Sequence, residues 1–139
     1  MQTPQLIQDE HGTKRWYLDD KRHREDGPAI EYSNGSKCWY LHGKLHREDG
    51  PAVEYADGTK EWYLHDKVHR EDGPAVEYAD GRRRWFLNGK ELERFPLSLN
   101  KKKVGDLIFI TKQPAIITHV GFFVKVFMNN QEIVYFAPT

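Results

Sequence analysis

Three clusters of imidazole and carboxylate recur along the chain: His23, Glu25 and Asp26; His46, Glu48 and Asp49; His69, Glu71 and Asp72. Neutral imidazole and ionised carboxylate are ligands of zinc and related divalent ions, so three copies in register form a candidate metal array. The same residue types in a tight turn also make local hydrogen bonds and an ion-pair ladder between stacked units. A metal needs closed coordination, which a sequential run rarely supplies, so the structural reading is preferred and no metal or cofactor is expected. The aspartate before each Gly-Pro suits an Asx-type turn.

Aromatic residues recur in the same way. Tyr17, Tyr40, Tyr63 and Phe86 share one spacing, beside Tyr32, Tyr55 and Tyr78, with arginines such as Arg47 and Arg70 interleaved. Regularly spaced rings with guanidinium groups stack on nucleotides or serve protein recognition, where tyrosine, tryptophan and arginine dominate hot spots. They also serve as the second face of a sheet, held by cross-strand pairs. Tyr17, Tyr40, Tyr63, Phe86, Arg47 and Arg70 are the candidate binding residues. Interspersed Glu and Asp argue against nucleic acid. Arg82-Arg83-Arg84 and Lys101-Lys102-Lys103 are candidate phosphate contacts, though runs of three are common on solvated faces.

The elements that must position these residues are repeats. The heptapeptide HREDGPA stands at His23–Ala29, His46–Ala52 and His69–Ala75, each 23 residues from the next. Trp16, Trp39, Trp62 and Trp85 keep that period, as do Gly12, Gly35, Gly58 and Gly81. A short fixed period marks an array in which each unit buries its apolar face on its neighbours. Asn34-Gly35, Asp57-Gly58 and Asp80-Gly81 are dipeptides that supply positive φ in hairpin turns, and the Asp-Gly-Pro triplets form a second break. A kink is expected at His42-Gly43-Lys44 and its equivalents. Ala52–Tyr55 and Lys60–Leu64 suit strands, with Trp62 and Leu64 on one face and Glu61 and Tyr63 on the other. Val53 and Tyr55 share a face opposite Glu54.

The Tyr-x-x-Gly turn, the Trp-Tyr strand and the period of 23 resemble MORN-like repeats, specifically bacterial and phage variants with the HREDGPA signature. The resemblance covers about residues 7–95. It implies a β-hairpin array with a binding role and, as a subtype, a phage-type inhibitor of a host protein. The ends depart from the pattern. Ile7–Gly12 replaces the inner Val-Glu-Tyr-Ala-Asp-Gly, and the fourth unit loses HREDGPA after Lys90.

Residues 104–139 differ in composition, with β-rich runs at Leu107–Thr111, Ile116–Val126 and Glu132–Phe136 and three strands expected. Gly105-Asp106-Leu107, followed by Thr118-His119-Val120-Gly121, resembles a segment of NlpC-type papain-like cysteine peptidases, in which the histidine is the general base. That family's nucleophile begins a helix upstream, where a thiolate is favoured. The lone cysteine, Cys38, instead stands inside a repeat, at the position of Arg15, Glu61 and Arg84. A thiol hydrolase using His119 is therefore disfavoured.

The 139 residues carry zero formal net charge, so no global field draws the chain to nucleic acid or an acidic membrane. Residues 1–95 hold 16 basic and 19 acidic side chains, against 5 and 2 in residues 96–139. One cysteine precludes an internal disulfide and suits a reducing compartment. No signal segment opens the sequence and no apolar run reaches the roughly 18–20 residues of a membrane span, so a cytoplasmic location is expected. Together these features predict an all-β protein, an antiparallel meander of four 23-residue hairpin repeats over residues 1–95 with a small β cap over 96–139. The expected role is non-catalytic binding of a protein partner, with a nucleotide or other small anionic ligand as the alternative. Open sheet edges allow a homo-oligomer.

Overall fold

The computed structural model describes residues 3–94, 107–110, 113–120, 123–128 and 131–136, with side chains described for 3–92. Every helix or strand element among them is a strand, so none is a helix long and apolar enough to cross a membrane. Two compact units emerge, Met1–Arg70 with Pro74–Lys90 and Glu71–Gly73 with Glu91–Thr139.

The first unit is built on a nine-stranded antiparallel sheet. Its order is Gln5–Gln8, Lys14–Leu18, Ile30–Glu31, Lys37–Cys38, Val53–Glu54, Lys60–Glu61, Val76–Glu77 and Arg83–Arg84, with Lys21–Arg22 paired to the far half of Lys14–Leu18. Sheet order follows chain order, as a meander requires. Within a repeat Ile30 faces Cys38, and across to the next repeat Cys38 faces Val53.

The turn inside each repeat is a three-residue loop. The Gly35 N–H donates to the Tyr32 carbonyl, and the Tyr32 N–H to the Ser36 carbonyl, both at 2.9 Å. Positive φ falls on the glycine alone, at 92° for Gly35, 94° for Gly58 and 88° for Gly81. The dipeptides thus supply positive φ, as expected, and do so at the glycine: this is a tight turn followed by a left-handed glycine at a bulge. The preceding Asn or Asp acts through its side chain, since Asn34 Oδ1 accepts from the Ser36 N–H at 2.9 Å and Asp57 Oδ1 from the Thr59 N–H at 2.8 Å.

The expected kink at His42-Gly43-Lys44 is a complete second hairpin. Tyr40–Leu41 pairs with Lys44–Leu45 through His42 and Gly43, whose φ values are 50° and 83°. Two left-handed residues in a two-residue loop define the mirror-image turn whose twist matches that of its strands. Tyr63–Leu64 pairs likewise with Lys67–Val68, and Phe86–Leu87 belongs with Lys90–Glu91. The strand expected through Lys60–Leu64 therefore breaks at Trp62, where the chain leaves the long sheet. Backbone bonds hold that corner. The Trp62 N–H donates to the Ala75 carbonyl at 2.9 Å, and the Trp62 carbonyl accepts from the His69 N–H at 3.0 Å.

The small hairpins are bonded in sequence to each other, Arg24 N–H to the Tyr40 carbonyl at 3.1 Å and Gly43 N–H to the Arg22 carbonyl at 2.8 Å. Arg47 with Tyr63, and Asp66 with Leu45, repeat this one unit on, at 3.1 and 2.9 Å. The core is thin: Ala29, Ile30, Cys38, Ala52, Val53, Ala75 and Val76 are buried. Ile30, Cys38 and Val53 form a cluster against which Tyr40, Leu45 and Tyr63 pack.

The second unit contains a five-stranded sheet ordered Glu93–Arg94, Gln131–Phe136, Phe123–Met128, Gln113–Val120, Leu107–Ile110. The first pair is parallel and the others antiparallel. Among the described residues, 104–139 thus supply four strands where three were expected, because the apolar run 116–126 is shared between two of them. Glu93–Arg94, which the sequence places in the array, pairs with this sheet. His119 lies on Gln113–Val120 beside a register shift.

Candidate functional site

The HREDGPA heptapeptide is spent on holding the array. His23 is 2% exposed, and its Nδ1 accepts the His42 N–H at 3.1 Å. His46 and His69 accept from His65 and Asn88 in the same way, at 3.2 and 3.0 Å. Each imidazole so ties its repeat to the turn of the next small hairpin. An accepting Nδ1 leaves the proton on Nε2, which in His23 and His46 lies 3.6 Å from Glu25 and Glu48.

The arginine lies on the tryptophan. Arg24, Arg47 and Arg70 each hold the guanidinium carbon 4.1 Å from the ring centroid of Trp16, Trp39 and Trp62. From there Arg47 reaches Asp49 at 2.8 Å, the Pro51 carbonyl at 3.1 Å and Glu54 at 3.2 Å. Glycine follows from this: a Cβ on Gly50 would stand 2.9 Å from the Arg47 guanidinium carbon, and on Gly27 3.0 Å from that of Arg24. The guanidinium holds the Asp26 and Asp49 carboxyls below the usual carboxylate range, through the hydrogen bond first and its charge second. Among the described residues no group of three or more His, Cys, Asp or Glu side chains converges as a metal site.

A hydroxyl ladder adds a third tie. Thr13, Ser36 and Thr59 are buried, and their oxygens accept the N–H groups of Ser33, Ala56 and Ala79 at 3.3, 3.0 and 3.2 Å. The equivalent of these residues in the fourth repeat is Arg82, which is exposed and paired with Asp80 at 2.7 Å.

Of the candidate binding residues, Tyr40 and Tyr63 come together. They line a cleft of about 340 Å³ with Tyr32, Tyr55, Asn34, Ser36, Cys38, Leu45, Val53 and Glu61. The alternation expected from the sequence holds across the broken strand, since Glu61 and Tyr63 share this cleft, as do Val53 and Tyr55. Tyr40 and Tyr63 are not exposed rings. Both are half-buried on the core cluster, whereas Tyr32 and Tyr55 are 41% and 44% exposed. The Tyr63 hydroxyl donates to Glu61 Oε2 at 3.0 Å. Burial, then the Glu61 charge, pushes the Tyr63 hydroxyl far above its usual range, and the same two causes raise Tyr55. Burial likewise raises the Tyr40 hydroxyl and the Cys38 thiol.

Tyr17, Phe86, Arg47 and Arg70 stand elsewhere. Tyr17 and Phe86 are half-buried, and Arg70, like Arg47, is bonded within its own repeat, to the Pro74 carbonyl at 3.1 Å and Glu77 at 3.2 Å. Arg47 lines a second groove of about 650 Å³ with Trp39, Leu41 and parts of two successive heptapeptides. Arg82 and Arg84 lie over the rings of Tyr78 and Phe86 at 4.8 and 4.9 Å. Lys101-Lys102-Lys103 lies outside the described residues. The cleft residue that the sequence reading leaves out of its candidates is Glu61, and the available signal was its departure from its repeat equivalents Arg15, Cys38 and Arg84.

Comparison of the chain with protein-family models, with curated proteins and with solved structures finds no match.

Proposed function

We propose that the chain is a non-catalytic binding module that recognises a protein partner at the tyrosine-rimmed cleft between the second and third repeats. The observation that carries this reading is the convergence of Tyr32, Tyr40, Tyr55 and Tyr63 on one cleft with an apolar floor of Cys38, Leu45 and Val53. Tyrosine offers a large rigid contact surface and a polar tip at small entropic cost, as recognition surfaces require. The repeat's own bonds consume the imidazoles and arginines of HREDGPA, which leaves the cleft as the better candidate. Glu61 in the lining works against an anionic guest, so the nucleotide alternative is the weaker one. Burial raises the Cys38 thiol, the opposite of what a nucleophile needs. Inhibition of a host protein is the subtype that the MORN-like resemblance adds.

The test is capture from a lysate of the source cell by the full chain and by the double variant Tyr32→Ala/Tyr55→Ala. These rings are exposed, so the variant is expected to fold and to lose the captured protein. Undiminished capture by the folded double variant would remove the cleft from the binding surface.

A further inference from the structure

The array stacks its own arginines on its aromatic rows. Arg22 lies 5.4 Å from the Tyr40 centroid, Arg82 4.8 Å from that of Tyr78, and Arg84 4.9 Å from that of Phe86. Arg84 also donates to the Tyr78 hydroxyl at 3.4 Å. Arg84 holds the same place in the fourth repeat that Glu61 holds in the third, and Phe86 and Tyr78 correspond there to Tyr63 and Tyr55. At Glu61 the charge beside these rings is reversed. Where the fourth repeat supplies a guanidinium from within, the third supplies its counter-charge, next to rings open to solvent at Tyr55.

We propose that the cleft receives an arginine side chain of the protein partner, its guanidinium on the rings of Tyr55 and Tyr63 and hydrogen-bonded to Glu61. This rests on the cleft being the recognition surface. Ring faces attract a cation through their quadrupole, and an anionic neighbour adds to that attraction in a partly desolvated cleft. The tyrosines stay neutral, since their hydroxyls are pushed up, and their oxygens remain available as acceptors. Arg22 already stands at the Tyr40 ring, which directs the guest to the Tyr55 and Tyr63 side. Leu45, Val53 and Cys38 supply the apolar wall for the guest's methylene stem. A guanidinium fits better than an ammonium because it is planar, weakly hydrated and able to stack while it donates in its plane.

The experiment is an NMR titration of the full chain with the blocked tripeptide Gly-Arg-Gly, beside versions carrying lysine, citrulline or glutamate. The arginine peptide is expected to shift signals of the cleft residues, and the citrulline and glutamate peptides to bind about tenfold more weakly or not at all. Glu61→Gln is expected to weaken the arginine peptide by a similar factor while Tyr63 keeps an acceptor. Tyr55→Leu, a change at an exposed ring, provides a second variant with the same expected loss. Equal binding of citrulline, preference for glutamate, or no response at the cleft would each overturn the proposal, and equal binding of lysine would overturn the choice of a guanidinium. In the lysate assay, capture lost in Tyr32→Ala/Tyr55→Ala but retained in Glu61→Gln leaves the cleft in place and removes the cation. Capture retained in both removes the cleft as well.

Discussion

The Arg47 guanidinium carbon lies 4.1 Å from the centre of the Trp39 ring, and the same group bonds Asp49, Glu54 and the Pro51 carbonyl. One side chain thus connects the corner of the long sheet, the heptapeptide turn and the following strand. Lysine keeps the charge but loses the planar stack and the forked donors. Arg47→Lys is expected to lower stability by about 1–2 kcal/mol. The check is a denaturant titration in which the midpoint falls and the slope is unchanged.

Gly50 exists because of Arg47. A Cβ there would meet the guanidinium at 2.9 Å, while a Cβ on Gly58 would meet nothing within 4 Å and be opposed only by its φ of 94°. Gly50→Ala is expected to cost about 1–3 kcal/mol by displacing Arg47. Much of that cost should vanish in an Arg47→Ala background, leaving a coupling of at least about 0.5 kcal/mol in a double-mutant cycle. Gly58→Ala should cost the same with or without Arg47. Additive costs for Gly50 and Arg47 would refute this account of the glycine.

The legible parts of the molecule were those written once per period. Alternation placed Glu61 and Tyr63 on one side, and Val53 with Tyr55, and the cleft that these four residues line agrees with that sorting. The second hairpin was hidden because its left-handed positions are filled unevenly, by His42-Gly43 and Asn88-Gly89 but also by Asp19-Asp20 and His65-Asp66. Asp66 earns its place otherwise, by accepting the Leu45 N–H at 2.7 Å. The arginine stack was illegible because Trp39 and Arg47 are eight residues apart and meet only once both turns are folded. The cleft was only half legible. The spacing identified Tyr40 and Tyr63 but not their burial, and Glu61 breaks the period that made the rest readable.

The hydroxyl ladder gives a prediction about coupling between repeats. Ser36 Oγ is the acceptor for the Ala56 N–H at 3.0 Å, and Ser36 is buried. Ser36→Ala removes that acceptor, leaving a backbone donor poorly paired, and is expected to cost about 1–3 kcal/mol. Hydrogen exchange at Ala56 should accelerate more than exchange in the Gln5–Gln8 strand. Uniform acceleration would instead indicate general loosening of the array.

Acid should loosen the heptapeptide turns. Asp26 and Asp49 titrate below the usual value near 4 because Arg24 and Arg47 hydrogen-bond their charged forms. A carboxyl depressed by folding is protonated first in the unfolded chain. Its contribution is therefore complete above about pH 4 and is lost as pH falls through the lower, folded value. Both carboxylates are exposed, so each contribution is small. Denaturant midpoints measured from pH 7 down to pH 2 should decline below about pH 4, and Asp26→Asn/Asp49→Asn should make that decline shallower. An unchanged decline would assign the acid response to other carboxylates, with Asp9, held low by Arg15, the next to test.

Cys38 separates a binding module from a thiol enzyme. Its side chain is buried with Ile30 and Val53, and burial raises the thiol, opposed by the charge of Arg22 and reinforced by that of Glu61. A thiol of this kind carries little thiolate at neutral pH and behaves as a small apolar group. Labelling of the folded chain is expected to run at least about tenfold slower than that of free cysteine and to reach the free rate on unfolding. Cys38→Val should preserve the fold, while Cys38→Ser should cost about 1–3 kcal/mol by placing a hydroxyl against Ile30 and Val53. His119→Ala should leave partner capture unchanged. Fast labelling of the native protein would show an activated thiolate and overturn the non-catalytic reading, because burial among apolar side chains cannot produce a reactive thiolate.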